Sequence, residues 1–204
     1  MIKKIFYILF VTMCLQSCLN KKNDTIIENE IPKIIVSEKK NTTEIEVVKK
    51  FMKWYLQNMD SLYKFNTIGG GLSSENKVES DKNYYVNFDE VEKYLSELKK
   101  SGFLSEDFLQ KEKQTYIDGE KYFKENPAND GPPYGFDYDH FFLTQDAFDE
   151  DLPNINKAKC VIKKNNDFNC EVEISLPICM MNYKYSLKKI NSKWLIEKIE
   201  SIKN

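Results

Sequence analysis

The sequence predicts an α+β domain. Three observations carry that reading: segments with apolar residues every three to four positions come first, a turn-rich stretch follows, and beyond it the apolar period drops to two. Helices gathered ahead of a strand meander, rather than alternating with it, place the helices on one face of an antiparallel sheet. The domain spans residues 42–204, the length of one ordinary unit, with no internal repeat and no second linker.

What precedes the domain reads as targeting and tether. Lys3 and Lys4 stand before an apolar run over residues 5–15, broken only by Thr12, and Leu15-Gln16-Ser17-Cys18 closes it. A positive start, a short apolar run and a small-residue cleavage site make a bacterial secretory signal of residues 1–17. The run is too short to span a bilayer as a helix, which takes about 20 residues. Leu15-Gln16-Ser17-Cys18 resembles the lipobox of bacterial lipoproteins, whose cysteine is acylated and becomes the first mature residue. That resemblance implies lipidation at Cys18, attachment to a membrane through the lipid, and a place in the cell envelope. Residues 19–23 carry no acid of the kind read as a surface-export signal in such lipoproteins, which implies the outer membrane, facing the periplasm. Residues 18–41 are polar with few aromatics, bury too little apolar surface to order themselves, and read as a flexible tether.

The first helix opens on Thr43-Glu44-Ile45-Glu46, a capping box in which hydroxyl and carboxylate exchange bonds with the first free amides. Ile45, Val48, Phe51, Met52, Tyr55, Leu56, Met59 and Leu62 share one face; Lys49, Lys50, Lys53, Gln57 and Asp60 lie opposite. Trp54 is off the stripe, so either a second layer covers it or it is exposed. Residues 66–81, with Gly69-Gly70-Gly71, read as a mobile loop. A phosphate cradle would need a strand before the glycines and Lys-Ser/Thr opening a helix after them, whereas Leu72-Ser73-Ser74 follows. Asn87 caps a second helix through Val91, Tyr94, Leu95 and Leu98 that ends at Gly102. Ser105 caps a third, with Phe108, Leu109, Glu112 and Tyr116 on one side, which Gly119 bends or ends.

Residues 126–139 are turn chemistry: Asn126-Pro127, Asp130-Gly131-Pro132-Pro133 and Gly135. Then Phe168, Cys170, Val172, Ile174 and Leu176 alternate with polar residues, as do Met181, Tyr183, Tyr185 and Leu187. Each is a half-buried antiparallel strand, and Lys193-Trp194-Leu195-Ile196 starts the last one after an Ile190-Asn191-Ser192 turn. Tyr55 and Trp194, each on its element's apolar face, are expected in the core.

Three groups of residues carry a family likeness: Val48-x-x-Phe51-x-x-Trp54-Tyr55, Asp137-x-Asp139-x-Phe141 running into Gln145-Asp146, and Ser186-Leu187-x-Lys189 leading to Trp194-x-Ile196-x-x-Ile199. Together they resemble a group of uncharacterised bacterial secreted proteins and lipoproteins with a cystatin-like or nuclear-transport-factor-2-like fold. The resemblance implies N-terminal helices packed on a curved antiparallel sheet as a cone, with a pocket where helix and sheet diverge. It brings no catalytic residues, and the fold hosts enzymes and binding modules alike.

The chemistry-bearing residues are few. All thirty basic residues are lysine and the net charge is −2. Without arginine's planar fork and without net positive charge, nucleic acid is not the expected partner. The sole histidine, His140, stands among Asp137, Asp139 and Asp146, residues fit for a ligand pocket or an ion site. Against that stands a plain solvated acidic segment, since the spacing is not that of a calcium loop and no four-ligand zinc set exists. Cys160 and Cys170 flank a hairpin with its loop at Lys164-Asn165-Asn166 and Asn166 in the left-handed region; facing one another, they either form a cross-strand disulfide or sit as two small buried hydrophobes. The aromatics of residues 134–142 either line a pocket or fold that loop onto the sheet. No partnered nucleophile, metal-ligand set or cofactor loop is recognisable. The expected function is therefore a non-catalytic domain that binds a small ligand or a protein; an envelope-enzyme inhibitor or immunity protein and a small hydrolase are the alternatives.

Overall fold

The computed structural model describes residues 43–71, 82–145 and 147–202. Cys18, the signal, the tether and Asp146 lie outside the described residues. Among those described, no helix is long and apolar enough to cross a membrane.

The protein is α+β: the described residues form three α-helices and a four-stranded antiparallel sheet, joined by a two-stranded hairpin and a long loop. Helix α1 runs Thr43–Leu62. Because it already includes Thr43, the cap position falls on residue 42, outside the described residues. Its stripe of Ile45, Val48, Phe51, Met52, Tyr55 and Leu62 is buried, as the period required. Lys49 corrects the pattern. Placed on the polar face by sequence, it is 4% exposed, and its ammonium donates to the Asn156 carbonyl at 2.8 Å. The cause is a second covering layer: the 3₁₀ turn Leu152–Lys157 packs on α1 beside the sheet, and the lysine stem crosses it. Trp54 likewise gains a cover, stacking near Phe51 at 6.2 Å and Phe103 at 6.5 Å.

The triple glycine is not a loop. Strand β1, Ile68–Gly71, pairs antiparallel with β2, Lys82–Val86, through a bulge between Gly69 and Gly71. Gly70 and Gly71 hold φ of 88° and 87°, which side chains resist, and the Tyr85 and Tyr84 rings lie directly over Gly69 and Gly71. A glycine run reads as loop from sequence because its strand role depends on rings arriving from β2.

Helix α2, Phe88–Ser101, is capped by the Asn87 side chain accepting from the Glu90 amide and ends at Gly102. Helix α3, Glu106–Glu125, is capped by Ser105, whose hydroxyl accepts from the Phe108 amide at 3.1 Å. Gly119 does not end it. The helix continues past it, and the missing side chain leaves room for the Phe136 ring, which an added Cβ would meet at 2.5 Å.

The sheet runs β3 (Cys160–Asn165), β4 (Asn169–Leu176), β5 (Met181–Ile190), β6 (Lys193–Ile202), every neighbour antiparallel. Cys170, Val172, Ile174, Leu176, Tyr183, Tyr185, Leu187, Trp194 and Ile196 face one core shared with all three helices. Tyr55 at 2% and Trp194 at 5% exposure both belong to it. The outer face carries Lys–Glu pairs such as Lys184–Glu200 at 2.9 Å, which solubilise more than they stabilise. Residues 103–105 tie the helices to β6: the Ser105 amide donates to Ile196 at 2.9 Å and the Ile196 amide to Phe103 at 2.8 Å.

The β3–β4 register differs from the expected one. Cys160 faces Ile174 and Cys170 faces Asn165, so the two cysteines lie four residues apart along the hairpin. At about 3.3 Å per residue that is roughly 13 Å, too far for a disulfide. The turn sits closer to the C-terminus because the Asn166 side chain accepts from the amides of Phe168 (3.0 Å) and Asn169 (2.8 Å). Asn166 is not left-handed, a bulge follows Ile162, and Phe168 is exposed instead of starting β4. The β5–β6 turn does fall at the expected place, with Asn191 and Ser192 at φ of 49° and 65°, the two-residue geometry that matches strand twist.

Candidate functional site

The long loop after α3 doubles back between α1 and α3 and closes a cleft with them. Its 190 Å³ is bounded by Tyr55 of α1, Tyr63 just past its end, Tyr94 of α2, Tyr116 of α3, and Phe136, Tyr138 and Asp139 of the loop. Phe136 is seated by Gly119 and packs on Tyr116 at 5.0 Å, so the loop is held by the helix beneath it.

Asp139 organises the loop. One carboxylate oxygen accepts from the Phe141 and Phe142 amides, each at 2.8 Å. The other accepts from the Tyr63 hydroxyl at 2.9 Å and from the Tyr55 hydroxyl. An ionised carboxylate offers about four lone-pair positions, and here all are taken. Burial first, then the Asp139 charge, holds the Tyr55 hydroxyl far above its ordinary pKa; burial and the same aspartate push Tyr63 up to about 12. Both therefore remain protonated donors at neutral pH.

His140 is engaged on both sides of its ring. Nδ1 lies 2.8 Å from Glu112 of α3 and Nε2 lies 3.3 Å from the Gly135 carbonyl. Burial opposes charging the ring, but hydrogen bonding to Glu112, its charge, the Gly135 carbonyl and Asp139 outweigh it and raise the histidine's pKa. Two acceptors facing two nitrogens specify the imidazolium, with both N–H groups donating. The pair is buried, its side chains 13% and 8% exposed.

The expected site residues thus separate. Asp139 and His140 meet in the cleft; Asp137 is exposed and accepts from Gln145, at 2.8 Å on its carbonyl and 3.1 Å on its carboxylate. Among the described residues no group of three or more acidic, histidine or cysteine side chains is disposed to hold a metal ion. The aromatic group divides as well. Phe136, Tyr138 and Phe141 line the cleft, Phe142 goes into the core against Phe148 at 4.2 Å, and Tyr134 stacks on Tyr122 at 4.1 Å. Glu112 and the tyrosines of α1 and α2 did not figure as site residues in the sequence. Glu112 did carry a signal: an acid on the buried face of α3 between Phe108 and Tyr116 requires a partner.

Chemically, this is a cleft that can hold and orient, and among its described lining residues no base is open. The histidine and aspartate that would move protons both have their hydrogen-bonding capacity occupied by the protein itself. A scan against protein-family models finds no match, and searches of curated proteins and of solved structures find none either.

Proposed function

We propose that the chain is a lipid-anchored protein of the bacterial cell envelope whose domain binds a small ligand in the aromatic cleft without transforming it. The observation that carries the binding half is the saturation of His140 and Asp139 by their own protein, beside rings that remain accessible: Tyr63 is 56% and Tyr138 41% exposed. A general base must present an open nitrogen or oxygen to its substrate; a binding wall need not. The Leu15-Gln16-Ser17-Cys18 string supports the anchoring half, and the acid-free residues 19–23 support the outer membrane, facing the periplasm. We further infer a cystatin-like or nuclear-transport-factor-2-like cone, supported by a long first helix packed on a four-stranded antiparallel sheet.

The test is a ligand screen of the purified full chain by thermal shift, run beside generic esterase, phosphatase, glycosidase and peptidase substrates. A saturable rise in melting temperature that Tyr138→Ala removes, with no turnover, is the expected result. Turnover lost on His140→Ala would replace this reading with the small hydrolase. One observation favours an inhibitor or immunity role instead. Tyr134, at 65% exposure, projects from the loop of residues 126–139 that such a protein would insert into its target. Inhibition of an envelope enzyme relieved by Tyr134→Ala would identify that role.

A further inference from the structure

The chain has thirty lysines, yet among the described residues none lines the aromatic cleft. Four other depressions on the described surface each carry two: Lys157 and Lys159, Lys93 and Lys100, Lys99 and Lys113, Lys111 and Lys198. The charge that the cleft does hold is negative. Asp139 lies in its wall, Asp149 is close enough to act on the Tyr63 hydroxyl, and the positive His140 is cancelled by Glu112 at 2.8 Å. The rings of Tyr63, Phe65, Tyr116, Phe136 and Tyr138 line the same cleft as the carboxylate. Aromatic faces beside a fixed anion attract cations and repel anions.

The kind of cation follows from the hydrogen bonds. All four acceptor positions of Asp139 are filled by the Phe141 and Phe142 amides and the Tyr55 and Tyr63 hydroxyls. A primary ammonium arriving here finds the charge but no open carboxylate lone pair for its N–H groups, and loses the water that satisfied them. A quaternary ammonium has no N–H to satisfy and loses nothing of that sort. The volume, 190 Å³, is below the roughly 300–1,000 Å³ of drug-sized sites and suits a head group rather than a large molecule.

We propose that the cleft binds a trimethylammonium group, caged by Tyr63, Phe136 and Tyr138 and balanced by the charge of Asp139. This rests on the reading of the cleft as a binding site. The group comes either from a free solute or from a choline lipid head, and both present the same chemistry.

The experiment titrates the purified full chain with choline by calorimetry, against 3,3-dimethylbutanol, its neutral carbon analogue, and against ethanolamine, its primary-ammonium relative. Choline should bind about ten-fold more tightly than either, the scale of a desolvated cation–π contact. Tyr138→Ala, at an exposed ring outside the core, should weaken choline several-fold without lowering the melting temperature; Tyr63→Ala should weaken it too but also melt lower, because its hydroxyl donates to Asp139. Equal binding of choline and dimethylbutanol would overturn the cation assignment. So would a neutral sugar that occupies the cleft while choline does not, and that outcome leaves the binding reading in place. No stabilisation by any ligand class would remove both. Flotation of the unlipidated Cys18→Ser chain with phosphatidylcholine vesicles, reversed by free choline, would assign the source to lipid; choline binding without flotation would assign it to a solute.

Discussion

His140 sits where a catalytic residue would be sought, and its neighbours decide otherwise. Glu112 and the Gly135 carbonyl take its two nitrogens, while Tyr94 approaches the same glutamate at 3.5 Å and the Tyr116 ring lies 6.0 Å away. Its pKa is raised in the fold, against about 6.5 in the unfolded chain. Such a group adds stability that is fully present below the unfolded value and is lost as pH rises through the folded one. A chain carrying both His140→Leu and Glu112→Gln lacks the pair without leaving either member uncompensated, so it is the proper reference. Urea midpoints should give the native chain its greatest advantage near pH 6 and a shrinking one toward pH 9. A difference that stays flat across that range would mean that the fold leaves the imidazole's pKa unshifted, and one that grows toward pH 9 that it is buried neutral. Only half of this pair was legible: the histidine drew attention by being the only one, whereas Glu112 stands 28 positions away on a helix face whose neighbours are invisible in one dimension.

At the scale of elements, the caps and turns that depend on adjacent residues fell where the sequence placed them. Asn87, Ser105, Gly102 and the Asn191-Ser192 turn act within a few positions of themselves. Gly119 shows the other case. Local propensity makes a mid-helix glycine a weakness, but here its bare face admits a ring from a loop 17 residues on, and Phe136 cannot swing aside freely because Tyr116, Phe123 and His140 surround it at 5.0–6.0 Å. Gly119→Ala gains about 1 kcal/mol of helix propensity, but forcing a Cβ into a packed ring costs about 1–3 kcal/mol. The variant should therefore melt lower, with the loss concentrated in the loop: amides of residues 134–142 should exchange faster than those of the sheet. A higher melting temperature would show that the Phe136 ring yields. The β3–β4 hairpin belongs with Gly119, since period alone placed its register and Asn166 moved it.

For the whole molecule the decisive residue is Cys18. The native chain should fractionate with membranes and carry an acyl mass on Cys18, while Cys18→Ser should be released; a native chain that stays soluble and unmodified would end the lipoprotein reading. Whole cells treated with protease should retain the domain if it faces the periplasm. Sequence by itself determined the α+β class, the three helices and the late strand meander, the inward faces of β4 and β5 and the core positions of Tyr55 and Trp194, because periodicity and capping are short-range and repeat along each element. Only the structure decided that Lys49 is buried, that Gly69-Gly70-Gly71 forms a strand, that Cys160 and Cys170 lie apart, that Tyr55 and Tyr63 fill the open side of Asp139, and that Glu112 of α3 takes His140. The cysteine register apart, which Asn166 sets within three residues, each of those outcomes depends on a partner far along the chain, and what a side chain can do is set by the groups that reach it first.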